Sequence, residues 1–310
     1  MSRNPEVALK PGTIPRAPLV AGALAAVLVA VLAMAGTYAN PELLIETPEL
    51  ARVLGTPGIR IVDLRGDGTR GDIAYRAAHI PGAVHVVARD LDESGANAQG
   101  FPIPPDSAGA LFGRLGIDGD TTVIAYDDAG SVLAARLFFV LEYYGHTKTR
   151  ILNGGLRKWQ REGRALTTEI PSVAPKRFVP QARRDLIATA EEVHASLGKE
   201  EVCLIDARSP EEYAGRDVRA KRGGHIPGAG NVDWIATLNP DHTFRSAEAL
   251  RAIFEAAGVR PDRQIITYCQ SGMRSAHDYF VLRLLGYAKV KNYDGSWNEW
   301  GNDPTRPVAK

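Results

Sequence analysis

The stretch Gln264-Ile265-Ile266-Thr267-Tyr268-Cys269-Gln270-Ser271-Gly272-Met273-Arg274 passes from a β-branched apolar run into a short polar loop. The run is too short for a helix and shows no polar alternation. This predicts a strand covered on both faces, as in a parallel α/β sheet. Helical periodicity follows over Ser275–Leu285 and stops at Gly286, so the passage reads strand, loop, helix. An earlier passage has the same form. Thr122-Val123-Ile124-Ala125-Tyr126 precedes Asp127-Asp128-Ala129-Gly130, and a helical pattern over Val132–Tyr144 stops at Gly145.

The correspondence extends outward. Ile61-Val62-Asp63-Leu64-Arg65 returns as Leu204-Ile205-Asp206-Ala207-Arg208, and His79-Ile80-Pro81-Gly82-Ala83 as His225-Ile226-Pro227-Gly228-Ala229. Asn153-Gly154 and Trp159 follow Gly145 at the offsets by which Asp294-Gly295 and Trp300 follow Gly286. A spacing of roughly 140 residues is too long for a solenoid repeat and suits a duplicated domain. Strands are predicted over Arg60–Leu64, Thr122–Tyr126 and Thr149–Leu152, and again over Glu201–Asp206, Gln264–Tyr268 and Val290–Tyr293. Pro171, Pro175 and Pro180 stiffen a segment that can join neither a helix nor a central strand. The expected division is therefore an N-terminal segment 1–39, a first domain 40–168, a linker 169–180 and a second domain 181–310. Thr189 is the expected N-cap of a helix opening at Ala188–Glu192, with Glu192 at the capping-box position.

In α/β sheets, ligands bind at the carboxyl ends of the strands, which is where Cys269 stands. A loop between a strand end and a helix start directs main-chain N–H groups, and the positive end of the helix, at one point. Such a setting favours a thiolate and stabilises anions. Arg274 is expected to add a permanent positive charge. The bland reading of a cysteine is a small buried hydrophobe. Cys203, early in an apolar strand, fits that reading. Cys269, followed by Gln-Ser-Gly, is read as reactive. Two cysteines placed at opposite ends of a sheet do not make a disulfide, and they are too few for the usual four-ligand structural zinc site. No metal or organic cofactor is expected.

Taken together and in order, these motifs resemble the tandem-domain rhodanese family, the thiosulfate and 3-mercaptopyruvate sulfurtransferases. The resemblance covers roughly residues 43–302 and includes Asn292-Tyr293-Asp294-Gly295-Ser296-Trp297-Asn298-Glu299-Trp300-Gly301. It implies an α/β fold of two tandem rhodanese-like domains, each a small parallel sheet flanked by helices, preceded here by an N-terminal hydrophobic segment. It also implies a catalytic second domain and a first domain without its cysteine, and Asp127 does stand where Cys269 stands in the second half. The implied reaction moves sulfane sulfur from thiosulfate to cyanide or a thiol through a Cys269 persulfide, held by N–H groups from Gln270, Ser271, Gly272, Met273 and Arg274. Asp206, Arg208 and Arg222 are candidate supporting residues. His225, Trp297 and Trp300 are read as architectural.

The loop matches neither common donor pattern, since Gln270 and Ser271 replace both the basic pair of thiosulfate enzymes and the Gly-Ser of mercaptopyruvate enzymes. Arg274 favours a small inorganic anion. Glu212 occupies a place where many members carry a substrate-binding arginine, which leaves Arg216, Arg219, Lys221 and Arg222 as candidate cations. Transfer from 3-mercaptopyruvate, and an exported persulfide carrier or sensor without fast turnover, stay open as alternatives. A phosphatase reading is disfavoured because Cys269 to Arg274 is Cys-x4-Arg, one residue short of the loop that surrounds a tetrahedral oxyanion.

Arg3, Lys10 and Arg16 precede an uncharged stretch, Ala17–Pro41, with an 18-residue apolar core, Leu19–Gly36. This fits either a secretory signal cleaved after Ala39 or an uncleaved membrane anchor within residues 17–39. Either predicts an exported, periplasmic or extracytoplasmic protein, with the anchored form held at the inner membrane. The chain has 37 Lys/Arg and 36 Asp/Glu, and residues 40–310 keep 34 and 35 of them, a net charge of −1. That balance argues against nucleic acid as a partner and points to a small anionic sulfur donor with a thiol or cyanide acceptor.

Overall fold

The computed structural model describes Met1 and residues 37–66, 69–93 and 101–310. The apolar run Leu19–Gly36 and the basic residues before it lie outside the described residues. Among those described, no helix is long and apolar enough to cross a membrane.

Among the described residues, nine strands form two sheets, parallel throughout. The first contains β1 Leu44–Ile45, β2 Ile59–Asp63, β3 Ala83–His85, β4 Thr122–Tyr126 and β5 Thr149–Leu152, in the order β1-β5-β4-β2-β3. The second contains β6 Val202–Asp206, β7 Gly230–Asn231, β8 Gln264–Tyr268 and β9 Val290–Asn292, in the order β7-β6-β8-β9. The α-helices of the described residues are α1 Thr47–Val53, α2 Thr69–Ala77, α3 Pro105–Arg114, α4 Val132–Tyr143, α5 Gly155–Arg161, α6 Ala190–Ala195, α7 Pro210–Tyr213, α8 Ala247–Ala256, α9 Met273–Leu284 and α10 Ser296–Trp300.

The six predicted strands are present with ends shifted by a residue or so. The edge strands β1, β3 and β7 were not foreseen, because two or three residues carry no readable period. In the second half the place of β1 is reduced to a single parallel bridge, Ile187 with Asn292. Thr189 caps α6 by accepting the Glu192 N–H at 3.2 Å, but Glu192 does not return the bond as expected. Its carboxylate instead meets Lys291 Nζ at 2.5 Å. A complete capping box occurs at Ser209 and Glu212, at the start of α7.

Each half keeps a small apolar cluster of its own, around Ile61 and Trp159 in the first and around Tyr268 and Trp300 in the second, but the main apolar interior is continuous across both halves. It runs from Val62 and Val123 through Phe138, Phe139, Tyr279 and Phe280 to Ile205 and Ile265. Helices α4 and α9 form the seam, with Phe138 edge-on to Phe280 at 4.9 Å and Phe139 edge-on to Tyr279 at 5.0 Å. Both helices are buried on nearly every side, so the polar residues they carry, Arg136 on α4 and His277 on α9 among them, are buried too.

His277 sits in this seam, fully buried, its ring 5.3 Å from Trp234 and 5.4 Å from Phe244. Burial lowers its pKa from 6.5 to about 3. The folded state therefore demands neutral imidazole while the unfolded chain protonates below about 6.5. The stability this group contributes is complete above that pH and is lost as pH falls toward 3, by about 1.4 kcal/mol per unit. His277→Phe should flatten the fall in melting temperature between roughly pH 6.5 and pH 4. An unchanged slope would show that other groups set it.

Candidate functional site

Cys269 directly follows β8, at the carboxyl end of the second sheet, and α9 begins four residues later. The thiol residue is 1% exposed. Its N–H donates to Ser296 Oγ at 3.0 Å and its carbonyl accepts from Trp297 N at 3.0 Å. The Gly272 N–H reaches the same Ser296 Oγ at 3.2 Å, and Gly272 holds φ +80°, which turns the loop into α9. Ser296 itself adopts φ +53°, a conformation that branched or bulky residues rarely tolerate. Five consecutive N–H groups were expected around the sulfur. That expectation is corrected at Gly272, whose N–H is committed to Ser296. The N–H groups of Gln270, Ser271, Met273 and Arg274 have no acceptor among the described residues. Gln270 Nε2 donates to Arg219 O at 3.2 Å, Ser271 is exposed and Met273 is half-buried.

The matching loop of the first half shows what such a loop holds. Asp127 Oδ1 accepts from Ala129 N at 2.9 Å and Ser131 N at 2.8 Å. Its Oδ2 accepts from Leu133 N at 2.8 Å and Ala134 N at 3.0 Å. Burial raises the Asp127 pKa while these four N–H groups oppose the shift. With all four acceptor positions taken by donors, no position is left for a proton, so the group is a carboxylate. The loop closes on an anion that the chain itself supplies.

Arg274 is corrected in a different way. Its guanidinium is not a free charge but a bidentate partner of Glu212, Nη1 to Oε2 at 2.6 Å and Nη2 to Oε1 at 2.8 Å. Burial by itself would raise Glu212. The Arg274 hydrogen bonds and charge outweigh it, and the carboxyl falls to about 2. Glu212 is therefore the counter-ion of the loop's own cation. Arg216 and Arg219 are also engaged, while the exposed Lys221 side chain has no ion pair among the described residues. Arg216 pairs with Glu211 at 2.5 Å, and Arg219 pairs with Asp217 at 2.6 Å and lies 3.6 Å from Glu212.

Arg222, a candidate supporting residue, donates to the carbonyls of Gly301, Trp300, Arg306 and Asp303. It clips the C-terminal segment in place, and its guanidinium is thereby occupied. Asp206 and Arg208 pair with each other at 2.6 Å, and Arg208 also donates to Gly224 O at 2.7 Å while lying 4.4 Å over the Trp297 ring. They hold loops together, as expected from residues ending a buried strand. His225 stacks on Tyr213 at 3.7 Å, and Trp297 and Trp300 are fully buried. Cys203 is buried, its Sγ directed at Gly258 O at 3.3 Å, and both cysteines are free thiols. Among the described residues, no group of three His, Cys, Asp or Glu side chains converges as a metal site requires.

Sequence reasoning missed Ser296 as the anchor of the loop, although it lies inside a quoted motif. It also missed Asp278, in the second turn of α9, whose two carboxyl oxygens are buried without a hydrogen-bond partner. Burial, then Asp233 and Cys269, push Asp278 well above the usual carboxylate range. An aspartate directly before the apolar run Tyr279-Phe280-Val281-Leu282 was the available signal.

The rhodanese-like domain model matches residues 46–162 and 189–303. The chain is similar to the sulfur carrier protein TtuD of Thermus thermophilus, 41% identical over 295 residues, covering 88% of this chain and 98% of that one. It is 36% identical over 271 residues to a thiosulfate sulfurtransferase of Azotobacter vinelandii, covering 87% and 98%. The solved 3-mercaptopyruvate sulfotransferase SseA of Escherichia coli superposes with a TM-score of 0.74 at 28% identity, covering 82% and 98%. With two matched domains spanning most of its length, this chain belongs to the rhodanese-like family of sulfurtransferases.

Proposed function

We propose that this protein is a thiosulfate sulfurtransferase in which Cys269 carries the sulfur. The Cys269 thiolate attacks the outer sulfur of thiosulfate. The S–S bond to the sulfonate sulfur breaks, sulfite leaves with the bonding pair, and a Cys269 persulfide remains. Cyanide, or a thiolate, then attacks the outer persulfide sulfur and leaves as thiocyanate or a new persulfide, restoring the thiolate. Asp127 carries the argument, because the equivalent loop already encloses an anion with four N–H groups. Thiosulfate should add about 32 Da, one sulfur atom, to the intact protein, and cyanide should remove it with release of thiocyanate. A mass unchanged by both thiosulfate and 3-mercaptopyruvate would sink the proposal. An adduct that forms but never turns over would identify a carrier, the role in the name of the Thermus relative.

The Glu212–Arg274 pair bears on the donor. An anion approaching Arg274 competes with a carboxylate held at 2.6 and 2.8 Å. Glu212→Gln keeps the shape and frees the cation, so KM for thiosulfate should fall by roughly tenfold, equivalent to about 1.4 kcal/mol. A KM that stays the same or rises would mean that the donor never meets Arg274.

The proposal extends to location. Arg3, Lys10 and Arg16 before the apolar run favour export, with residues 17–39 as signal or anchor. Cleavage after Ala39 would remove the Tyr38 hydroxyl that donates to Arg245 O at 2.6 Å and keep Asn40, whose N–H donates to Leu284 O at 3.1 Å. Fractionation with N-terminal sequencing tests this, and an uncleaved cytoplasmic chain would refute it.

A further inference from the structure

The loop around Cys269 is held from beneath by the segment after β9, and the centre of that segment is Asp294. Asp294 is fully buried, and its Oδ1 accepts from Asn292 Nδ2. Asn292 Nδ2 also donates to the Gly272 carbonyl at 3.2 Å, and Asn292 Oδ1 accepts from Thr267 Oγ1 at 3.2 Å. A carbon placed on Gly272 would lie 2.8 Å from Asp294 Oδ1, so this carboxylate touches the turn between Cys269 and α9.

The counter-ion comes from the other half of the molecule. Arg136, fully buried on α4, donates Nη1 to Asp294 Oδ1 at 3.0 Å and Nη2 to Oδ2 at 3.1 Å. Its Nε donates to Asp92 Oδ1 at 2.7 Å, which fixes the guanidinium from its own half. The bridge is one-sided. Arg136 lies nine residues beyond Asp127 and Asp278 lies nine beyond Cys269, so the two occupy matching places on paired helices. One is bidentate across the seam, while the carboxyl of the other has no hydrogen-bond partner.

We propose that Arg136 is a positioning residue for the thiol of the opposite half. Through Asp294 it sets the turn at Gly272 and balances the negative charge buried under the loop. This gives the half without the cysteine a defined role in sulfur transfer, and it rests on the reading of Cys269 as the sulfur carrier. Burial raises Asp294 to about 6, with Arg136 as the chief opposing influence. At neutral pH the carboxylate is thus kept ionised, and able to accept every bond described, by a residue 158 positions away. A buried guanidinium with this geometry is not replaceable by an apolar side chain without leaving its partners bare.

The test compares Arg136→Met, Arg136→Lys and Asp294→Asn in the full chain, each assayed well below its melting temperature. Arg136→Met should lower kcat at least about tenfold while KM for thiosulfate moves less than about twofold, because the thiol is displaced and the donor contacts are not. Arg136→Lys should recover part of that loss. A folded Arg136→Met with normal kcat, or a lysine variant as impaired as the methionine one, overturns the proposal.

Should Arg136→Met fail to fold, Asp294→Asn gives an independent reading. Asparagine keeps the shape and one acceptor but removes a negative charge under the loop that carries the thiolate. Alkylation of Cys269 by iodoacetamide at pH 7, followed on its own peptide, should then quicken several-fold. An unchanged rate overturns the charge-balancing role. Alkylation needs no sulfur transfer, so this outcome is separable from any failure of Cys269 as the carrier.

Discussion

Cys269→Ser is expected to abolish sulfur transfer, by at least about a thousandfold, and to leave the fold in place. The proposed chemistry requires a nucleophile that ionises readily and forms a stable bond to sulfur, and a serine hydroxyl does neither. The structural cost is small. The residue is bound to its surroundings through its main chain, at Ser296 Oγ and Trp297 N, and the substitution touches neither bond. The hydroxyl, although 1% exposed, faces a loop with free N–H donors and does not become an orphaned polar group. The melting temperature should therefore stay within a few degrees of the unmodified protein. Activity above a few per cent in a variant free of contaminating thiol would assign the chemistry to another residue, and a lost thiosulfate adduct without lost turnover would separate persulfide formation from catalysis.

Gly272→Ala should also be severe, for reasons unrelated to the nucleophile. Gly272 holds φ +80°, where an L side chain costs roughly 1–2 kcal/mol. The added methyl would lie 2.8 Å from Asp294 Oδ1 and 3.2 Å from its carbonyl oxygen. Asp294 cannot yield freely, because Arg136 and Asn292 hold both of its oxygens. The loop must move instead, adding an overpacking cost of about 1–3 kcal/mol. A displacement near 1 Å at the thiol corresponds to a loss of roughly a hundredfold in kcat. Gly130→Ala is the natural control. Gly130 has the same φ of +80°, but its methyl would meet side-chain atoms, Leu238 Cδ1 at 2.8 Å and Trp234 Cζ3 at 3.1 Å, and not the carboxylate under the Cys269 loop. Gly130→Ala should lower the melting temperature and spare kcat. Equal kinetic losses in the two variants would show that Asp294 is not the obstacle.

Much of the architecture is legible in the sequence. β-branched runs, glycine stops and the recurrence of Asp-x-Arg and His-Ile-Pro-Gly-Ala identified two parallel α/β halves and placed Cys269 at a strand end. These features depend on neighbours a few residues apart. Arg274 shows the limit. Its position was read correctly, but its charge was assigned to the donor because Glu212, 62 residues away, could not be paired with it from a line of sequence. Arg222 failed likewise. A guanidinium near the site in the chain was counted as available, whereas the fold turned it toward the carbonyls of residues 300–306.

The sequence by itself determined the periodicities, the duplication, the single strand-end cysteine and its replacement by Asp127, because each is a local pattern or a comparison of local patterns. Tertiary structure alone decided the electrostatics of the loop around Cys269. Ion pairing depends on which side chains converge in space after the core has excluded water. Arg136, Asp294, Glu212 and Arg274 come from segments that only the packing of α4 against α9, and of α7 beside the loop, brings together. Cys269 could thus be named as the reactive residue from its place in the chain. The charges that surround it, and the dependence of its loop on the other half, belong to the fold.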